Sequence, residues 1–415
     1  MNQRQQQSAW HEIKDPDGDQ KDIFEASKAV YGLLFSPEHR EDWSHFREYI
    51  LDTQRRLSRD PQADPLDYYY VATSGKKVHG MAFFSTYRQK RLGFISYFGV
   101  LSPQVKKSKK LAYDGALKIR SKLRKENIEG ILFEAEMISP ESLSKRGRWT
   151  QQRLASLDCL QEAGARKISW LLYEQPGLEL DAATPEATNL HLMCLSTSRV
   201  SETAVTASRR TVERYLDFVY NTFYFDGFEV TDTAKLRQAK DYLASLFHRV
   251  LRSLPEGAKE IPLIKVNLRP RGITIFISYT SDGLLLAKLL ASCLEDMGIR
   301  VIFWEKDAPH YAGSELHSTV RHWVQTCDLF IALFSRQSLI SWGMVEELGL
   351  AVSFKKHTIV LLSKDMKRRW EQELKSRIIG LLGPIIYESF EERRFDLAIT
   401  AVIGCIERNF PPELS

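Results

Sequence analysis

The pattern of apolar and polar positions divides the chain into a front half with the texture of antiparallel strands and a back half in which short apolar strands alternate with helices. The clearest stretch lies in the back half. Residues 273–279 are a β-branched and aromatic run ending in small polar residues, and Leu284, Ala287, Leu290, Ala291 and Leu294 follow at helical spacing before Gly298. That order predicts strand, loop, amphipathic helix and helix stop. The pattern repeats with a second strand at 300–304, a helix at 314–325, a wholly apolar third strand at 329–334, a helix at 347–354 and a fourth strand at 358–362. A charged helix at 365–377, a fifth strand at 381–387 and a closing helix at 395–410 complete it. Strands this short and apolar, separated by helices, predict a parallel sheet covered on both faces, with a ligand site at the strands' carboxyl ends. Ser278, Tyr279, Trp304 and Ser335 fall at or just beyond those ends.

The front half reads differently. Residues 1–21 are polar around the turn cluster Asp15-Pro-Asp-Gly-Asp and predict a mobile arm. Helical periodicity at 23–34 and 43–57 gives way to three β-rich runs at 68–73, 78–87 and 92–100, joined by short polar turns, which predict an antiparallel meander. A helix at 111–124, a strand at 130–134 and a helix at 150–163 stopped by Gly164 come next. A loop at 175–187 leads to 190–195, read as the last strand of this unit. Two helices, 205–224 and 233–254, form a connector over 201–262; the apolar stripe Val212, Tyr215, Leu216, Val219 and Phe223 on the first reads as core packing or as an oligomerisation face.

In the back half, Phe276-Ile-Ser-Tyr279 with Asp282, the loop 309–313, Asp328-Leu-Phe-Ile before Ser335, and Trp342 with the glutamates behind it resemble a TIR (Toll/interleukin-1 receptor) domain of the bacterial NADase effector type. The resemblance implies a flavodoxin-like, five-stranded parallel domain at 268–410 that self-associates, NAD+ as substrate, and a catalytic glutamate. The spacing Ser335-x11-Glu lands on Glu347, followed by Leu348 and Ala351, whereas four residues after Trp342 lie at Glu346; the tryptophan reads as displaced by one position, which makes Glu347 the first candidate and Glu346 the reserve. It further implies that Phe276, Ser278, Tyr279, Trp304, Lys306, Gly313, Ser335 and Trp342 bind NAD+. Breaking the nicotinamide–ribose bond passes through an oxocarbenium-like centre that a carboxylate stabilises, and the cationic leaving group needs no protonating acid. The bland alternative is that two glutamates near a helix start merely complement its dipole.

In the front half, Phe98-Gly-Val100-x-x-Pro103, Ile131-Leu-Phe-Glu134 and the run from Arg153 to Gly164-Ala-Arg166 resemble a GNAT N-acetyltransferase fold, an α+β domain with a mostly antiparallel sheet, over 22–200. Such enzymes cradle the acetyl-CoA pyrophosphate on backbone N–H groups made accessible by glycines; here the segment reads Gln104-Val-Lys-Lys-Ser-Lys-Lys-Leu-Ala112. Lys106, Lys107, Lys109 and Lys110 are either a solvated charge run on a domain that has lost its cofactor or an electrostatic site for acetyl-CoA or another nucleotide. Nucleic acid ranks last as a partner, because only Tyr113 supplies an aromatic nearby. Glu134 reads as a general base or a paired structural carboxylate, and Tyr173 as a candidate general acid.

Composition narrows the picture further. The 415 residues, 43% hydrophobic, suffice for two or three cores, and 58 basic against 53 acidic residues leave a net charge of only +5. No stretch approaches a membrane span, the first residues lack the apolar core of a signal peptide, and five scattered cysteines without Cys-x-x-Cys spacing predict a reduced, cytoplasmic protein. Histidines show no ligand spacing, so no metal is expected. The leading expectation is an NAD+ glycohydrolase effector of antiviral defence and innate immunity, whose GNAT-like domain senses a small-molecule or protein trigger. The other two are a non-catalytic TIR adaptor in signal transduction and an N-acetyltransferase recruited by its TIR domain.

Overall fold

The computed structural model describes residues 9–35, 40–101, 105–136, 148–177, 187–197, 205–227, 233–267, 271–307, 314–335, 337–338, 341–363, 386–390 and 395–410. They form two sheets.

The C-terminal sheet has five strands: β11 (Thr274–Tyr279), β12 (Arg300–Phe303), β13 (Leu329–Phe334), β14 (His357–Ser363) and β15 (Ile386–Phe390). All pairs are parallel in the order β12-β11-β13-β14-β15, the flavodoxin-like arrangement. The apolar runs have this cause: β13, Leu-Phe-Ile-Ala-Leu-Phe, is buried at every position because helices cover both faces. Alternation along β11 sorts the two cores. Ile275 and Ile277 join the face packed by the helices Leu284–Asp296 and Phe395–Asn409, whereas Phe276 joins the face packed by Ser314–Thr326 and Trp342–Ser353. Ser278 has the parity of Phe276. It therefore points toward the Trp342–Ser353 helix. The fifth strand sits at 386–390, later than expected, and the expected helix at 365–377 lies outside the described residues.

The N-terminal sheet contains β1 (Ala9–Ile13), β2 (Leu66–Ser74), β3 (Lys77–Tyr87), β4 (Leu92–Val100), β5 (Gly130–Glu136), β6 (Ala165–Ile168), β7 (Tyr173–Gln175), β8 (Thr188–Ser196), β9 (Val205–Ser208) and β10 (Glu260–Ile264). Its order is β1-β2-β3-β4-β5-β8-β6-β10-β9, with β7 also pairing β8. The meander β2-β3-β4 stands as expected. Among the described ladders of this sheet the β4–β5 pair alone is parallel, and it runs only over Leu92–Ile95 against Gly130–Phe133.

Two expected boundaries fail. Part of the 1–21 arm is an edge strand: β1 pairs antiparallel with β2, and Trp10 is buried with its indole N–H donating to the Leu111 carbonyl at 2.8 Å. Gly115 permits this approach, since a Cβ there would lie 2.5 Å from the Trp10 ring. Nor is 201–262 a connector. Val205–Ser208 and Glu260–Ile264 pair with each other and β10 pairs β6, so the sheet runs on past β8. The helix begins only at Arg209, because the Ser208 side chain caps it by accepting from the Thr211 N–H at 3.2 Å. The aromatic stripe is core, with Val212, Leu216 and Val219 fully buried together with Leu243 and Leu246 of the Thr233–Ser253 helix.

Candidate active site

The Trp342–Ser353 helix buries Met344, Leu348 and Ala351, one stripe of a 3.6-residue period. Glu347 lies beside that stripe, one turn from Met344 and from Ala351. Glu346 is exposed and shares the outer face with Trp342, four residues earlier and 88% exposed. Helix geometry thus puts the two neighbouring glutamates in different surroundings. Ser278, 2% exposed at the carboxyl end of β11, donates to Glu347 Oε2 at 2.5 Å. Burial pushes the Glu347 carboxyl up to about 7; the Ser278 hydroxyl opposes that rise, and the Glu346 charge adds to it.

Beside this pair the loops after β11 and β13 are tied together. Ser335 and Thr280 both donate to Asp282, the latter at 2.6 Å, and the Thr280 and Ser335 hydroxyls lie 2.7 Å apart. The Ser338 hydroxyl accepts from the Ser335 N–H at 2.9 Å, and the Gln337 N–H donates to Asp282 at 3.3 Å. Burial favours the neutral Asp282, but hydrogen bonds from Ser335, Thr280 and the Gln337 backbone outweigh it and hold the carboxyl below its ordinary value. Asp282 is a permanent anion at neutral pH, unlike Glu347. Thr280 and Ser338 carried no sequence signal beyond their loop positions.

The other expected NAD+-binding residues divide. Ser278 contacts Glu347, and Ser335 belongs to the neighbouring Asp282 cluster. Phe276 lies apart from both: it is 3% exposed and stacks on Phe330 at 5.7 Å in the core, because it sits mid-strand under the helices of its face and not at the carboxyl end. Tyr279 is half-buried, its ring 6.3 Å from that of Phe303. Trp304, expected to end β12, opens a four-residue helix, Trp304–Asp307, and is 42% exposed. Trp342 faces outward. The Lys306 side chain and Gly313 lie outside the described residues.

In the N-terminal domain the structure brings Glu134 and Tyr173 together. Both Tyr173 and Tyr224 donate to Glu134 Oε1, and the Gln175 amide donates to Oε2 at 2.8 Å. Burial raises this carboxyl to about 7 against the pull of both phenols. Tyr224, which sits past the expected end of the domain, escaped the sequence reading. Of the lysine run, Lys109 forms an ion pair with Asp158 across two helices and Lys110 is exposed. The Lys106 and Lys107 side chains lie outside the described ones. Among the described residues no His/Cys/Asp/Glu group could hold a metal, and no helix is long and apolar enough to cross a membrane.

No curated protein matches the chain. Solved structures similar to it include a CMP N-glycosidase from Clostridium botulinum, 19% identical, covering 32% of this chain and 98% of that one at a TM-score of 0.26. The N-terminal region is similar to acetyltransferases. One is the catalytic domain of a Tetrahymena histone acetyltransferase in complex with coenzyme A, 12% identical, covering 47% and 96% at a TM-score of 0.27. Another is the ribosomal-protein-S5-alanine acetyltransferase of Vibrio fischeri, 13% identical, covering 47% and 95% at a TM-score of 0.30. The C-terminal unit, with the parallel sheet and Glu347 at the carboxyl end of its first strand, is a TIR domain: residues 275–394 match that family's model.

Proposed function

We propose that the TIR domain cleaves the nicotinamide–ribose bond of NAD+, releasing nicotinamide and ADP-ribose or its cyclic form, in a defence effector whose GNAT-like domain is the sensor. The observation that carries this reading is the Glu347 carboxyl held by Ser278 at the carboxyl end of β11. As the bond breaks, its electron pair passes to the nicotinamide nitrogen, which becomes neutral, and positive charge develops on the ribose carbon. Glu347, as the carboxylate, stabilises that charge or holds the ribose hydroxyls. Water, or a nucleophile of the same ADP-ribose, closes the reaction and loses its proton. Assembly of TIR domains completes the site.

The test is nicotinamide release by the purified full chain. Activity per molecule should rise with protein concentration across the range in which monomer converts to oligomer; strictly proportional activity would sink the assembly requirement. Only the ionised Glu347 serves the cation, so the rate should climb as pH rises through about 7. Ser278→Ala removes a hydrogen bond that favours the charged form, and the midpoint of that limb should move to higher pH. An unmoved limb would mean that another group titrates. Absence of nicotinamide at every concentration and pH would favour the adaptor.

A second reading rests on the Glu134–Tyr173 contact, a base and an acid within hydrogen-bond reach, as acetyl transfer needs. We infer that this carboxyl is structural instead, since two phenols and an amide already hold both of its oxygens and the lysine segment lacks the glycines of a phosphate cradle. The N-terminal domain is then a sensor or scaffold that binds an anion, if at all, through lysine charge. Turnover of acetyl-CoA at about one per second or faster would overturn this.

A further inference from the structure

The Leu284–Asp296 helix is buried nearly all round, which one TIR sheet cannot accomplish for a helix on its surface. Its outer side lies on the N-terminal sheet. There Lys167 of β6, 2% exposed, donates to Asp296 Oδ2 at 2.5 Å and to the Ser292 hydroxyl at 2.9 Å. The His191 ring of β8 stands 3.5 Å from Asp296 Oδ1, which accepts no hydrogen bond among the described residues. Burial, then the Lys167 charge, holds His191 far below its ordinary value, so it is neutral. Ser169 Oγ lies 3.9 Å from Cys293 Sγ in the same contact.

An ion pair is an odd choice for a permanent joint. Its charges lose hydration on closing and regain it on opening, whereas an apolar contact of the same shape gains on closing and is penalised on opening. The under-satisfied Asp296 oxygen widens that difference. The helix also leads straight out of the Ser281–Gly283 turn, where Asp282 ties Thr280 to Ser335 next to Ser278 and Glu347. Movement of the helix must pull on that turn.

We propose that the contact between the N-terminal sheet and the Leu284–Asp296 helix is a releasable latch, closed in the resting protein, and that its opening re-sets the Ser278–Glu347 pair for catalysis. The regulatory part rests on the NAD+ cleavage proposed above; the latch does not.

Cys293, 5% exposed in this contact, reports opening without any activity. In the native full chain, iodoacetamide should label Cys293 at least tenfold faster than Cys327, a TIR cysteine inside the sheet packing. Lys167→Met should speed that labelling and Lys167→Met/Asp296→Leu should slow it below the parent rate, the double change guarding against simple misfolding of the single one. Equal labelling of Cys293 and Cys327 in all three proteins would overturn the latch. The regulatory part is tested with Ser169→Cys, whose new thiol faces Cys293 within reach of a disulfide. Oxidation should lower nicotinamide release at least tenfold, and reduction should restore it. Release unchanged or raised in the cross-linked protein would overturn the resting-state assignment. If Cys293 labels as expected but no form releases nicotinamide, the latch stands and the NAD+ reading falls together with its regulation.

Discussion

Glu347→Gln should abolish nicotinamide release, lowering the rate about 100-fold or more, and should leave the fold intact. The substitution keeps the volume and an oxygen that can accept from Ser278, so the buried hydroxyl is not orphaned. Only the charge is lost. Stability separates this from a folding defect, because burial raises the Glu347 carboxyl from its ordinary 4.5 to about 7. Between those values the folded protein holds a proton that the unfolded chain has given up. The parent therefore loses stability as pH rises from about 4.5 to about 7, and the glutamine variant does not. Above pH 7 the variant should be the more stable by about 1–3 kcal/mol, seen as a higher melting temperature. Glu346→Gln, on the exposed face beside Trp342, should keep its activity. Full activity in Glu347→Gln with loss in Glu346→Gln would reverse the assignment, and activity in both would discard the carboxylate mechanism.

That assignment illustrates what was legible in the chain. The parallel sheet could be read because strands covered on both faces carry no polar residues, as in β13, and helices between them leave a 3.6-residue stripe. Glu347 is reached in the sequence through its spacing from Ser335, and the structure adds that it lies beside the buried stripe Met344, Leu348, Ala351. A resemblance names positions without their depth along the strand: Phe276 lies mid-strand in the core, whereas Ser278, on the same face, reaches the carboxyl end and Glu347. Trp342, likewise named by position alone, falls on the outer face of its helix. In the N-terminal domain, β1, β9 and β10 escaped because edge and four- or five-residue strands bury too few positions to show alternation. The largest silence concerns the domain contact. A lysine in a four-residue strand and an aspartate at the end of a helix read as solvated charges, and only the meeting of two sheets far apart in sequence makes them partners.

That partnership sets the largest stability effect expected in the molecule. Lys167→Met leaves Asp296 buried with neither a cation nor a full set of donors, and removing one member of a buried ion pair costs about 3–5 kcal/mol. Replacing both with apolar side chains of similar volume is neutral or stabilising, so Lys167→Met/Asp296→Leu should recover the whole loss or more, a strongly non-additive cycle. The penalty also depends on pH. Burial has already pushed Asp296 up to about 6 despite the Lys167 charge, with Glu295 adding to the rise and a neutral His191 offering no positive charge. In the methionine variant the carboxyl stays neutral to still higher pH. The loss should therefore be small near pH 5, where Asp296 is protonated in both proteins, and grow toward pH 8, where the parent keeps its pair and the variant must bury a bare carboxylate or hold a proton against the solvent. Melting temperatures of the parent, the single and the double variant at pH 5 and pH 8 measure all of this. A single variant as stable as the parent at pH 8 would mean that the pair is hydrated in solution and that the two sheets are held by their apolar contacts alone.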